Sequence, residues 1–199
     1  TQKINQGKTA VTHDLRATAT YKYANPVWGV FLNVSPMYAR TSGNILYENV
    51  LNDRIFTIVA TDKKRATEIT GLSGHISKTF GWAKTLLGLG ASFTTTDYCM
   101  LVTGKVNVAR MTVTSVALNF SLRPTRLLSV EGRSSVSFNQ QKNQTAPQLS
   151  SDSTNDWEHR LNIHVFPANG WMLSINNQLF HTNSEGIGTR FFLDLAMIY

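Results

Sequence analysis

Residues able to do chemistry are present in this chain but rarely spaced to act together. Five histidines, His13, His75, His159, His164 and His181, are scattered along it. None stands in an HxxxH-type spacing, and on a strand His159 and His164 point to opposite faces, so no metal site is expected. Cys99 is the only cysteine; it leaves no internal disulfide and no CxxC pair, and reads as a free thiol in a polar, loop-like stretch. Serines and threonines are abundant, yet no GxSxG precedes a helix, and Gly71-Leu72-Ser73-Gly74 belongs to a strand by its period. Glu131 and Arg133 come nearest to a constellation: two residues apart, they share a strand face and read as an ion pair rather than a catalytic carboxylate. The sequon matches at Asn33, Asn119 and Asn143 carry no weight, since two lie inside strand-like runs. No catalytic residue and no cofactor are expected, and the chain does not read as an enzyme.

The elements that hold these residues are strands. Between Met111 and Phe138, Thr114, Val116, Leu118, Phe120 and Leu122 alternate with Ser115, Ala117, Asn119 and Ser121. After Arg123-Pro124-Thr125-Arg126, a second run alternates Leu128, Val130, Gly132, Ser134, Val136 and Phe138 with Ser129, Glu131, Arg133, Ser135 and Ser137. This is a hairpin with one apolar and one polar face. Each strand is about a dozen residues, long for a soluble sheet but suited to a tilted bilayer crossing of about 9–11 residues.

The pattern recurs. Leu15 to Tyr23 alternates against Arg16 and Lys22; Trp28 to Tyr38 follows, blurred by Phe31 and Met37 on the polar side, with Pro36 predicting a bulge or local irregularity. Thr67–Phe80 carries Leu72 and Ile76 opposite Ser73, His75 and Ser77, with Lys78 near the end of the apolar side. Leu87 to Phe93, Trp157 to Val165, Trp171 to Leu179 and Phe191 to Tyr199 complete about nine strands. Thr1–Thr12 reads as a polar loop, Ile45–Val50 and Arg54–Thr61 as strand extensions or a raised hairpin, and Thr95–Val108 as a longer connection. The tract Asn139–Asp156, nearly free of apolar residues, reads as a long mobile loop. Tight turns fall at Asn25-Pro26, Gly81-Trp82, Pro124 and Pro167–Gly170, alternating with longer connections.

Composition permits such an architecture. Of 199 residues 42% are hydrophobic and only 16% charged, below the roughly 25% of soluble domains. Mean hydropathy is −0.16, and no run approaches the ~18 apolar residues of a membrane helix. The net charge of +7 raises nucleic acid as a partner. The basic residues are scattered, however, and the densest cluster, Asp62-Lys63-Lys64-Arg65, reads as a solvated loop tip; no nucleic-acid partner is expected.

Short turns at one end and long connections at the other predict an all-β, antiparallel, up-and-down transmembrane barrel, here an arc of about nine strands from a larger barrel, with residues 1–199 one partial barrel domain. A Greek-key sandwich gives no reason for every short turn to share one end. On this reading Val116, Leu118, Phe120, Val130, Val136, Leu161, Ile163, Leu173 and Ile175 face lipid. Tyr21, Tyr23, Trp28, Trp82, Trp157 and Trp171 are interfacial aromatics, and Arg16, Asn119, Glu131, Arg133, Glu158 and Arg160 face the lumen. The alternative is a soluble, secreted β-sandwich that binds through long loops.

The order of features also resembles a family. Asn25-Pro26-Val27-Trp28-Gly29, the run from Tyr38 to Tyr47, Gly74 to Trp82, Phe166-Pro167 with Gly170-Trp171, and Phe191 to Leu195 resemble the C-terminal barrel region of TonB-dependent-receptor-like outer-membrane proteins, often preceded by a carboxypeptidase-regulatory-like domain. The likeness covers essentially the whole chain, and its motifs are degenerate. It implies a bacterial outer-membrane location in contact with lipid, a signal peptide and a plug domain elsewhere in the same protein, contact with TonB through an N-terminal segment, and uptake of a ligand too large for porins, whose identity these motifs do not specify.

Overall fold

Strand alternation, unbroken by any helical period, gives a structure made almost wholly of ladders. The computed structural model describes residues 2–4, 9–52, 55–102, 105–143, 152–168, 170–184 and 188–198. Among them lie thirteen strands: β1 Gln2–Ile4, β2 Thr12–Thr18, β3 Tyr21–Asn25, β4 Val30–Gly43, β5 Leu46–Asn52, β6 Ile55–Thr61, β7 Arg65–Phe80, β8 Thr85–Val102, β9 Lys105–Leu122, β10 Leu128–Asn143, β11 Asp152–Val165, β12 Met172–Thr182 and β13 Thr189–Ile198. The only helical element among the described residues is a 3-10 turn, Gly81–Ala83.

The main sheet is an antiparallel meander in the order β13-β12-β11-β10-β9-β8-β7-β4-β2, with β3 also pairing β4. It is open: β2 and β13 end the ladder and do not pair with each other. The β5–β6 hairpin interrupts the meander between β4 and β7 and forms a small second sheet, with β1 added in parallel to β6. Because consecutive strands alternate in direction, the turns 26–29, 81–84, 123–127 and 166–171 all fall at one end of the main sheet. Neighbouring turns are tied there: Thr79 N donates to Gly29 O, Arg123 N to Lys84 O, and Phe166 N to Leu127 O. Three of these turns use left-handed backbone, at Gly29 (φ 62°), Lys84 (φ 44°) and Gly170 (φ 85°). A side chain at Gly29 would run into the Thr79 carbonyl, 2.6 Å from an added Cβ, so glycine is dictated by space as well as by φ.

Several sequence expectations are corrected. The Thr95–Val108 stretch is not a connection: β8 and β9 pair continuously from Thr85↔Leu122 to Val102↔Lys105. Cys99 therefore lies in strand β8, its Sγ donating to Ala66 O at 3.5 Å. The polar tract after Phe138 is largely strand as well, since β10 runs to Asn143 and β11 begins at Asp152; residues 144–151 lie outside the described residues. Asn, Gln, Ser and Thr satisfy each other across this ladder, as where Asn139 Nδ2 donates to Thr154 Oγ1 and Asp156 Oδ2. Within Thr1–Thr12, Gln2–Ile4 is a strand, paired in parallel with β6.

Pro36 produces a local irregularity rather than a bulge. Strand β4 keeps one register with β7 from Val30↔Lys78 to Gly43↔Arg65. The interruption falls on the other neighbour, between β2 and β3, at Ala19 and Thr20. Ala19 N donates to Pro36 O, but proline has no N–H to return the bond, so the ladder lapses on that side only.

The main sheet is a single layer without a core of its own, and no large side chain among the described residues is fully buried. The buried apolar residues, Ile45, Leu46, Ala60 and Ala109, gather at the end away from the short turns, where β5 lies against β8.

Candidate functional site

The register turns alternation into two continuous surfaces. On one face, Leu195, Ile175, Ile163, Val130 and Leu122 form a cross-strand row; Leu161, Gly132, Phe120 and Leu87 form the next. Two rows further, Trp157, Val136, Val116, Ala91, Gly74, Val34 and Tyr21 follow, and then Phe138, Thr114, Phe93 and Leu72. The nine residues expected to face lipid all lie here, none of them buried. Phe120 covers Gly132, where an added Cβ would fall inside the ring, so the aromatic supplies the surface that the glycine lacks. On β9 the apolar band from Leu122 to Thr114 is about 27 Å at ~3.4 Å per residue. Across nine strands about 4.8 Å apart it covers on the order of 1,000 Å², well above the ~300–600 Å² of the largest patch on a typical soluble monomer.

The aromatic residues divide less simply than expected. Trp28, Trp82 and Trp171 sit in or beside the short turns, and Trp82 is 90% exposed. Tyr21 and Trp157 share one cross-strand row, so the ladder alone does not separate them into two belts. Lys78, on the apolar face near the turns, holds its ammonium 5.2 Å from the centre of the Phe80 ring.

The opposite face is mainly polar in this region, interrupted by Phe31, Met37, Leu86 and Phe192. A hydroxyl row runs Ser35, Ser73, Ser92, Ser115 and Ser137, with Ser92 and Ser115 hydrogen-bonded at 2.8 Å. Four of the six expected lumenal residues, Asn119, Glu131, Arg133 and Arg160, are brought together with Asn162 around an open depression of about 310 Å³. A neighbouring depression of about 500 Å³ shares Arg160 and Asn162 and adds Asn176, Gln178 and Asp194. Arg16 is not part of this cluster; it lies on β2, at the edge of the sheet. The Glu131–Arg133 ion pair does not form among the described residues. Glu158 is the bridging carboxylate, accepting from Arg160 Nε at 2.6 Å and from Gln178 Nε2 at 2.9 Å. It faces an awkward juxtaposition, because Arg133 and Arg160 stand directly opposite each other. Turning Arg160 toward Glu158 relieves that repulsion without burying a charge. The histidines do not converge: His75 lies over Gly88 and Gly90, while His181 Nδ1 bonds Thr189 Oγ1 at 2.8 Å.

Sequence reasoning missed a charged row on the apolar face itself. Lys142, Arg110, Asp97, Glu68 and Arg40 are successive partners across β10, β9, β8, β7 and β4, beyond the apolar band. Arg110 grips Asp97 with two bonds of 2.7 Å, and Arg40 Nε stands 3.4 Å from Glu68. The hydrogen-bonded guanidinium of Arg110 holds the Asp97 carboxyl below its ordinary value. Carrying the parity of Val116 and Thr114 on to Arg110 reveals this row; a hairpin reading that starts at Met111 stops one residue short.

No protein-family model matches the chain, and no curated protein matches it. The functional reading therefore rests on the two faces and their boundaries.

Proposed function

We propose that this chain forms part of the wall of a transmembrane β-barrel in the bacterial outer membrane, of the TonB-dependent-receptor-like kind. The carrying observation is the apolar face, continuous over the sheet and exposed, backed by a face of serines, asparagines and charges. A face of that size in water costs far more than one matched to hydrocarbon. The geometry supports the match. On β9, Leu122 and Arg110 are twelve residue steps apart; at ~3.4 Å each and a barrel tilt of ~40° this is about 31 Å along the axis, close to the ~30 Å hydrocarbon thickness. The charged row then falls at the far boundary of the bilayer, and the short turns at the near, periplasmic one.

In this reading the polar face lines a lumen wide enough to leave Arg133 and Arg160 hydrated, and a plug domain of the same protein rests against it. TonB would engage through an N-terminal part, and a large ligand would be admitted through the barrel, contacted by the segments between β4 and β7 and between β10 and β11. Transport is the proposed activity; no catalytic role is assigned.

The test is fractionation of the full-length protein. It should pellet with outer membranes, resist alkaline carbonate extraction and dissolve only in detergent. Recovery in the supernatant without detergent would sink the reading and leave the soluble sandwich, in which a second layer covers the apolar face.

A further inference from the structure

We propose that the rim formed by the four short turns is a binding surface for anionic phospholipid headgroups. The inference rests on the reading of the sheet as a barrel wall whose short turns lie at the periplasmic boundary. The turns make one continuous edge, because backbone bonds tie each to the next: Thr79 N donates to Gly29 O, Arg123 N to Lys84 O and Phe166 N to Leu127 O. Apolar side chains project from this edge into the open. Val27 and Trp82 are each 90% exposed, Trp28 69% and Leu127 56%. Lys84, Arg123 and Arg126 stand among them, and turns 26–29, 81–84, 123–127 and 166–171 contain no Asp or Glu. Lys78 adds a fourth cation on the outward face beside the turns, its ammonium over the Phe80 ring.

The far boundary of the apolar band shows what this rim lacks. There Asp97 accepts both bonds from Arg110, and Glu68 stands beside Arg40, so the protein supplies its own anions. Among the described residues, Asp97 and Glu68 are the only carboxylates on the outward face of the main sheet. Among them too, no ion pair joins Lys84, Arg123 or Arg126 to a carboxylate. The cations of the rim must find their anions outside the sheet. Two features together select the partner. Tryptophan favours the zone where acyl chains meet headgroups, which covers the body of the ring and leaves its N–H wet. Lysine and arginine in that zone are drawn to anionic headgroups, and arginine meets phosphate oxygens with paired, charge-assisted bonds. Water would leave Val27 and Trp82 uncovered, and a zwitterionic surface would leave the cations without a net opposite charge.

The experiment places the full-length protein in vesicles of phosphatidylcholine mixed with phosphatidylglycerol. It measures quenching of tryptophan fluorescence when one lipid or the other carries brominated chains. Phosphatidylglycerol should be preferred about fivefold, the effect expected of one basic residue near an anionic surface. Arg123→Gln with Arg126→Gln should remove most of that preference. Lys84→Asn, which keeps a residue tolerant of left-handed backbone, should remove a smaller part and keeps the test alive if the double variant misfolds. Arg133→Gln with Arg160→Gln takes the same charge from the polar face and should leave the preference unchanged. A preference untouched by the turn variants overturns the proposal, as does one lowered as much by the polar-face pair. Equal quenching by the two lipids in the wild type leaves the protein in the bilayer but the headgroup surface fails, and the rim falls to a protein partner. If neither lipid quenches, the membrane reading fails first and the headgroup surface with it.

Discussion

The two halves of the β8–β9 hairpin are one uninterrupted ladder with opposite character. From Thr85 to Thr95, and from Thr112 to Leu122, apolar residues occupy one face without being buried, while the other carries mostly small residues, with Leu86 and Val113 as exceptions. From Asp97 onward the alternation no longer separates the faces, with Cys99, Leu101, Val106 and Val108 following Asp97 and Arg110 on one parity and Tyr98, Asn107 and Ala109 on the other. The apolar parity now carries Asp97 and Arg110, and the polar parity carries Asn107 and Ala109, which are buried. Backbone pairing is the same in both halves, so the difference lies in the side chains and not in the ladder. In the first half each face has one environment along its length. In the second, an outward row turns polar and the inner parity becomes packed at the end where β5 lies against β8.

That contrast breaks most sharply under charge. Leu118, on the apolar face of the first half, is 48% exposed, so in a soluble protein Leu118→Arg would be nearly neutral. If lipid covers it near the midplane, the substitution should cost about 2–4 kcal/mol. Asn119→Arg, one residue away on the polar face, should be tolerated. Folding yield and unfolding midpoint of the full-length protein in lipid vesicles check the pair. Equal sensitivity at both positions would mean both faces are packed against protein.

The first half was legible in the sequence because each face keeps a single environment, and period-two alternation reports that directly. The nine positions expected to face lipid, three of them on β9 and the others on β10, β11 and β12, fall on one surface for the same reason. The second half was not legible, because the alternation that marks a strand is lost beyond Thr112, and 95–108 then resembles a connection. An open depression of about 540 Å³ draws on segments around His13, Arg40, Lys64 and Cys99, which only register brings together. The expected Glu131–Arg133 pair failed because spacing gives a shared face but not the cross-strand neighbour; Arg160 opposite Arg133 redirects the charges.

A second substitution sharpens the comparison from the other half. Ala109 is 1% exposed, so Ala109→Leu adds volume where none is free and should destabilise by about 1–3 kcal/mol. Ala117 has the same parity eight residues along the strand but lies among Gly90 and Ser135 on the open polar face. Ala117→Leu should therefore cost little. Denaturant midpoints of the two variants distinguish a packed end from a hydrated wall, and a large cost at Ala117 would show that the polar face is filled.

The smallest effect is expected at the boundary row. Asp97 is held by two bonds from Arg110 beyond the apolar band, and its carboxyl titrates below its ordinary value because that guanidinium favours the charged form. A depressed folded pKa contributes stability that is full above the unfolded value, about 3.9 for an aspartate, and is lost as pH falls through the lower folded value. Arg110 stays protonated across this window and adds no pH dependence of its own. Asp97→Asn should thus lower the unfolding midpoint slightly at pH 7, by less than Ala109→Leu, since exposed pairs contribute little. The gap between variant and wild type should narrow below about pH 4. A gap that does not narrow at all between pH 7 and pH 3 would mean the variant disturbs packing of the extended hairpin rather than an ion pair, and would move the boundary between the two halves closer to the short turns than Thr112.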